Sequence, residues 1–503
     1  SEEGPEDGPL SLDDHQAIAM LRQVLEGANY SAAGIQEALG ISDEFSFRRP
    51  DAPVYLRRLP TESTLSTLIK LFLLGVTVDS KEATGSLEPL SVKRLEAVGL
   101  IEGGPDGVRS QVRIMSFGGL LFAYDRYDDN PSHFPPDCVI GVNPTSKTLA
   151  SLTVRRPVQS ALDLGTGCGV LALLAARHSD HVVAADINAR ALNVAAFNAR
   201  LNGISHVECR RGSLFEPVEG RQFDLIVCNP PYVISPDSQY QYRDSGLPGD
   251  SICQEIVRQT PNYLNKGGFA HVLCNWVRRR DEDWSEPLRE WVEGSGCDAW
   301  LLHYKTEDPL TYAANWNRPL QSSTRDAYPS ALDHWLDYYR RLGIEAISSG
   351  AIILRRRTAG PNWVRADDLP SGSVGPSSDH ILRVFEAQDY LSGLGGDEAL
   401  MEEAFCLVEH HRLDQSLKFN DGKFVMQEAM LRLEKGLKFQ GKLDAYTVHL
   451  LSHCDGHQPL GDLIAELALV MGLDLSELTS AVIPVVRKLI GLGFLEPARP
   501  TRR

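Results

Sequence analysis

The sequence predicts an α/β protein in which a parallel, doubly wound sheet between about residues 139 and 357 is flanked by mostly helical modules. Three observations predict it. Within that interval short apolar runs alternate with segments of helical periodicity, the pattern of strand–helix–strand units. The first run, residues 161–164, ends in the loop Gly165-Thr166-Gly167-Cys168-Gly169, whose glycines permit a tight strand-to-helix turn. Outside the interval, apolar residues recur at helical spacing and are closed by short strand–turn patterns.

Taken in order, residues 1–12 read as an acidic, solvated tail, with Glu2, Glu3, Glu6 and Asp7. Helical spacing starts after Ser11-Leu12-Asp13-Asp14 and runs through Ile18, Leu21, Val24 and Leu25, and a second helix covers 31–39. A helix capped at Thr61-Glu62-Ser63-Thr64 ends at Gly75, another over 90–98 ends at Gly99, and strands are expected over 108–114 and 120–124. Residues 13–130 therefore read as a helical, winged-helix-like domain. It carries no basic recognition helix, so packing against a neighbour is favoured over nucleic-acid binding.

The central domain, 131–360, has seven expected strands: 161–164, 182–185, 207–210, 225–228, 269–274, 299–304 and 350–354. Helices begin at Val170 and cover 189–202 and 251–264. Residues 305–340 interrupt this order with Tyr312, Trp316, Tyr328, Trp335, Tyr338 and Tyr339. A small helical subdomain with its own core is the favoured reading of that insertion, ahead of a lid over a site. Gly360-Pro361 and Pro370-Ser371-Gly372 mark a linker over 361–379. Residues 380–503 form a second helical, winged-helix-like domain, with helices over 445–453, 460–471 and 475–490 and a closing strand after Gly493.

Composition narrows the function. The 503 residues carry a net charge of −17, which disfavours a generic polyanion binder, and 43 % hydrophobic residues suffice for a large core. Nine cysteines are scattered with no C-x-x-C pair, a pattern of reduced thiols. The first residues lack the basic start and apolar run of a secretory signal, and no apolar stretch reaches membrane-spanning length. A cytoplasmic protein without membrane association is the expectation.

Three motifs carry chemistry. The glycine loop follows Asp163 at the end of the first strand. Asp186 ends the second strand, where a carboxylate can accept both hydrogen bonds of a ribose diol. Asp186 alone reads equally well as a helix N-cap, but in register with the glycine loop the two point to a ribose-containing cofactor. The third motif is Asn229-Pro230-Pro231-Tyr232, directly after the fourth strand. An amide or exocyclic amino nitrogen is a poor nucleophile because its lone pair is delocalised. The Asn229 side-chain oxygen and the Pro230 carbonyl can each accept one of its N–H bonds, which localises the lone pair without a strong base. Pro230 and Pro231 hold the acceptors rigid, and Tyr232 offers a flat face.

On these motifs the chain resembles, over about residues 139–357, the class I S-adenosylmethionine-dependent methyltransferases that carry an N-P-P-Y tetrapeptide. That resemblance implies a seven-stranded Rossmann-like methyltransferase sheet and S-adenosyl-L-methionine as cofactor. It assigns Asp163, Gly165, Thr166, Gly167 and Gly169 to the methionine end of the cofactor, Asp186 to the ribose and Ile187 to the adenine. Asn229, Pro230, Pro231 and Tyr232 become the catalytic set, with Asn229 also touching the cofactor. Relatives commonly have Asp after the glycine that corresponds to Gly212. Here Ser213 stands there, and the Leu214 N–H is a substitute contact for adenine. Pro144-Thr145 matches a segment that closes over the cofactor. The stretch from Tyr242 to Asp250 is partly similar to the HemK-like glutamine methyltransferases, but lacks their Glu-Pro.

The implied activity is N-methylation of a planar nitrogen, leaning to the glutamine side chain of a protein, which makes a macromolecular substrate the expected partner. An adenine or guanine amine in RNA or DNA is the alternative. A non-catalytic methyltransferase-fold scaffold is the alternative of another class. Weaker features are His449, His453, Cys454 and His457 at metal-ligand spacing, and the runs Arg278-Arg279-Arg280 and Arg355-Arg356-Arg357, which read mainly as solvated strand ends.

Overall fold

The computed structural model describes residues 8–127, 134–322, 326–357, 359–370 and 374–498. They fall into two compact units. The first comprises residues 1–150 and 157–368, and the second residues 151–156 and 369–503.

The first unit is organised by an eight-stranded sheet. In chain order its strands are β1 (Val158–Leu164), β2 (Ser179–Asp186), β3 (Val207–Arg211), β4 (Phe223–Cys228), β5 (Leu264–Arg278), β6 (Cys297–Glu307), β7 (Ala346–Arg356) and β8 (Val364–Asp368). Their spatial order is β8-β6-β7-β5-β4-β1-β2-β3. Strands β1 to β5 run parallel, and β7 lies antiparallel between β5 and β6. The order reverses beside β1, so β1 and β4 flank the crevice where such sheets bind ligands, at their carboxyl ends. Both faces are covered, so the central strands are mostly apolar, the buried Asp163 and His271 being exceptions. Leu162, Val183, Ile226, Ala270 and Ile352 are fully buried.

The eighth strand corrects the expected seven. Val364–Asp368 lies within the stretch expected to be linker, yet it pairs in parallel with β6. It is a half-exposed edge strand with a single large apolar residue, so it lacks the apolar alternation that marks a strand in a sequence. Trp300 Nε1 donates to Asp367 Oδ2 at 2.7 Å and fastens it.

Helices α1 (Val170–Ala175), α2 (Ala189–Leu201) and α3 (Ser251–Gln259) cover the sheet. The insertion forms α4 (Pro309–Asn317) and α5 (Ala327–Leu342). The insertion does not keep a core to itself. Tyr312, Ala313, Trp335 and Tyr339 pack with Val233 and Ile234 from the loop after β4.

The amino-terminal region departs from expectation in two places. Residues 1–7 of the expected tail lie outside the described residues, but Leu10 and Leu12 are buried, and Asn193 of α2 bonds both the N–H and the carbonyl of Leu10. The expected strand 108–114 is divided between two hairpins. Ile101–Gly104 pairs with Gly107–Ser110, and Val112–Phe117 pairs with Leu120–Asp125.

The second unit holds more strand than its apolar spacing suggests. Beside its helices, His411–Asn420, Lys423–Leu433 and Gln440–Leu443 form an antiparallel sheet. In the first of these strands Arg412, Asp414 and Lys418 alternate with Leu413, Leu417 and Phe419, but the apolar face is left exposed, so the strand does not read as half-buried core. All nine cysteines are free. Among the described residues no helix is long and apolar enough to cross a membrane, and no group of three or more His, Cys, Asp or Glu is placed to hold a metal ion.

Candidate active site

A cavity of about 520 Å³ opens at the carboxyl ends of β1, β2 and β4. Its walls bring together Gly165, Thr166, Gly167, Asp186, Ile187, Ser213, Leu214, Asn229, Pro230 and Pro231. These residues come from four separate loops, and only the sheet makes them neighbours. The glycine loop and the Asn229 turn face each other, since a Cβ built on Gly165 would lie 3.8 Å from the Asn229 carbonyl oxygen. Gly165 and Gly167 have φ of +76° and +53°, the left-handed region that other residues adopt with strain. Around Gly167 the space for a Cβ is empty, so its backbone is bared to the cavity.

Three assigned residues do not line the cavity, and each has another task. Asp163 is fully buried beneath the loop, where its Oδ2 accepts from Thr166 Oγ1 at 2.7 Å and from the Ala172 N–H at 2.9 Å. Burial pushes its carboxyl up to about 7. Its Oδ1 has no partner. Gly169 begins α1 at φ +85°, and a Cβ there would press on Ala195 at 3.1 Å, so this glycine lets α1 approach α2. Tyr232 is sandwiched between the sheet core and the insertion core. Burial pushes its hydroxyl up to about 12, while a hydrogen bond with Thr145 pulls it the other way.

Asp186 lines the cavity at the end of β2. Its Oδ2 accepts from the Gly167 N–H and its Oδ1 from the Asn188 N–H, both at 2.9 Å. Each oxygen keeps a lone pair for a ligand hydroxyl, and burial pushes its pKa up. Ile187 is 57 % exposed on the cavity wall. Leu214 holds a positive φ of 49°, a strained conformation for a residue with a side chain. The neighbouring Ser213 N–H is taken by Glu216 Oε2 at 3.1 Å.

At the tetrapeptide, the Asn229 carboxamide oxygen is buried and has no hydrogen-bond partner. The Pro230 carbonyl differs from expectation, because it already accepts from the Tyr232 N–H at 2.8 Å. A carbonyl has two lone pairs, so one acceptor position remains.

The chain beyond the tetrapeptide is braced by the aromatic insertion. Tyr339 Oη donates to the Ile234 carbonyl at 2.8 Å, and Tyr312 Oη accepts from the Ile234 N–H at 3.3 Å and from Asn275 Nδ2 at 2.7 Å. Trp335 Nε1 donates to Asp237 Oδ2 at 3.0 Å, and Tyr338 Oη accepts from the Gly249 N–H at 2.8 Å. Asp244 is buried on a two-pronged pair with Arg243, and Asp250 Oδ2 accepts from the Val277 N–H at 2.9 Å. Sequence reasoning missed Cys138, Val139, Asn143, Gln241 and Glu255 on the cavity wall. The segments Tyr242 to Asp250 and Pro144-Thr145 hinted at this region; residues 138–143 themselves carry no motif.

Comparison with known proteins fits this geometry. Residues 138–282 match the methyltransferase small domain, and residues 27–111 and 382–497 match two families described as domains of unknown function. A release factor glutamine methyltransferase of Xylella fastidiosa is 37 % identical over 126 residues, 23 % of this chain and 46 % of that protein. One from Aliivibrio fischeri is 45 % identical over 170 residues, covering 31 % and 56 %. A ribosomal protein uL3 glutamine methyltransferase of Bradyrhizobium diazoefficiens is 36 % identical over 152 residues, covering 27 % and 47 %. The chain thus spans about half the length of these relatives.

Proposed function

We propose that this chain, whose central domain is a class I methyltransferase domain of the HemK-like group, methylates a planar nitrogen, namely the side-chain amide of a protein glutamine. The observation that carries the reading is the buried, unpartnered oxygen of Asn229, a residue that lines the cavity built around the glycine loop. An unsatisfied buried acceptor is costly, so it is expected to meet a donor when substrate binds.

The cavity fits S-adenosylmethionine. Its volume suits a ligand of that size, Gly167 leaves room for close backbone approach, and Asp186 and Ile187 offer a diol acceptor and an apolar plate. Asp186 would hold the ribose, Ile187 and Leu214 the adenine, and Gly165 to Gly167 the methionine end. The bound cofactor supplies an electrophilic methyl group on a sulfonium sulfur. Asn229 and the free lone pair of Pro230 accept the two N–H bonds of the amide and aim its lone pair. Tyr232, held by its two cores and by Thr145, anchors the chain that leaves Pro231. No residue need take a proton before transfer, because the acceptors polarise the nitrogen; the proton that the methylated nitrogen must shed leaves after transfer.

The names of the relatives direct the choice of acceptor toward proteins of translation. The test is to incubate the full chain with tritiated S-adenosylmethionine and purified release factor or uL3, then to locate the label by peptide mass spectrometry. Label on a glutamine side chain supports the reading. Label that nuclease removes and protease leaves would replace it with the nucleic-acid alternative.

A further inference from the structure

The helix that follows the ribose-binding end of β2 also grips the amino-terminal module. Along α2, Asn202 Oδ1 accepts from the Leu121 N–H at 2.9 Å and its Nδ2 donates to the Leu121 carbonyl at 2.7 Å. One turn earlier, Asn198 makes the same two bonds with Ala123, at 2.7 and 2.9 Å. Arg190 then forms a two-pronged pair with Asp125, at 2.7 Å on each prong. Residues 121, 123 and 125 are alternate positions of one strand, so their backbone groups share an edge. The carboxamides of α2 satisfy that edge as a third strand would.

Two of these grips continue into the cavity wall. Asn198 Nδ2 also donates to the carbonyl of Cys168, in the glycine loop, at 2.8 Å, whereas the second bond of Asn202 Nδ2 returns to its own helix at the Asn198 carbonyl. Asp125 Oδ2 also accepts from the Val139 N–H at 2.8 Å, and the Asp125 N–H donates to the Val139 carbonyl at 3.0 Å. Cys168 and Val139 both line the cavity.

We infer that Asn198 and Asp125 are positioning residues of the cofactor pocket, and that strand Leu120–Asp125 is a structural part of that pocket. The amino-terminal module thereby holds the glycine loop in its bound shape. This rests on the proposed reading only in that the cavity takes S-adenosylmethionine.

Asn202→Ala is the matched control, because it loses the same two strand bonds and no bond to the glycine loop. S-adenosylhomocysteine binding to the full chain is measured by calorimetry, and stability by thermal unfolding. Asn198→Ala should bind about tenfold more weakly, the equivalent of one buried hydrogen bond, while a comparably destabilised Asn202→Ala keeps wild-type affinity. Equal loss in both variants, or wild-type affinity in Asn198→Ala, overturns the inference. Should Asn198→Ala fail to fold, hydrogen exchange on the wild-type chain decides: saturating S-adenosylhomocysteine should slow the Leu121 and Ala123 amides, and unchanged exchange overturns it. A wild-type chain that binds no S-adenosylhomocysteine removes the cofactor assignment itself and the inference with it.

Discussion

Asn229 and Asp186 both line the cavity, and the tasks proposed for them can be separated by experiment. Asn229→Ala removes the acceptor proposed for the nitrogen to be methylated, so turnover should fall at least about 100-fold while S-adenosylhomocysteine affinity stays largely intact. Asp186→Ala should weaken cofactor binding first. Calorimetry beside single-turnover assays checks both, and equal loss of binding and turnover in each variant would contradict the assignments. Asp163 makes a pH prediction. Burial raises its carboxyl from 3.8 to about 7, so the folded chain holds a proton that the unfolded chain releases. Its contribution to stability is full below about pH 4 and is lost as the pH rises toward about 7. A carboxamide in its place cannot titrate, so the stability of Asp163→Asn relative to wild type should rise over that window in urea unfolding. A difference that is flat with pH would show that Asp163 is ionised in the fold. Asp163 illustrates a limit of motif reading: its place at the strand end was legible, but its depth beneath the loop was not.

At the level of elements, the aromatic insertion acts as a buttress. Helices α4 and α5 share one core with the chain that leaves Pro231, and hydroxyl and indole groups tie that chain at Ile234, Asp237 and Gly249. Tyr339→Phe strips the Ile234 carbonyl of its donor and should reduce stability by about 1 kcal/mol. Trp335→Ala empties a site that is 1 % exposed and should reduce it by about 3–5 kcal/mol. Both should lower kcat several-fold, with a smaller effect on S-adenosylhomocysteine affinity, because the insertion ties the chain beyond the tetrapeptide and residues 309–317 and 327–342 do not themselves line the cavity. A change in cofactor affinity with kcat intact would place the insertion elsewhere in function. The insertion's aromatic content was visible in the sequence. What it packs against was not, because the Ile234 loop lies far ahead of it in the chain and carries no pattern that names α5 as its partner.

Among the described residues, every one that lines the cavity lies between Cys138 and Ile256, inside the first compact unit. A chain ending at Asp368 should therefore bind S-adenosylhomocysteine within about threefold of the full chain, a difference below about 1 kcal/mol. Loss of binding in that shortened chain, with its far-ultraviolet circular dichroism retained, would show that the second unit contributes to the site.

The central sheet, the glycine loop, the carboxylate at the end of β2 and the acceptor turn at Asn229 were all legible in the linear chain. Each is a short-range pattern whose residue types and spacing follow from backbone geometry. Packing in three dimensions was needed to show that Asp163 and Gly169 support the loop from below, that Val364–Asp368 extends the sheet, and that Asn198 ties Ala123 to Cys168. These are pairings that no spacing rule announces. A buried asparagine or an edge strand takes its role from whichever backbone group the fold brings within hydrogen-bond reach.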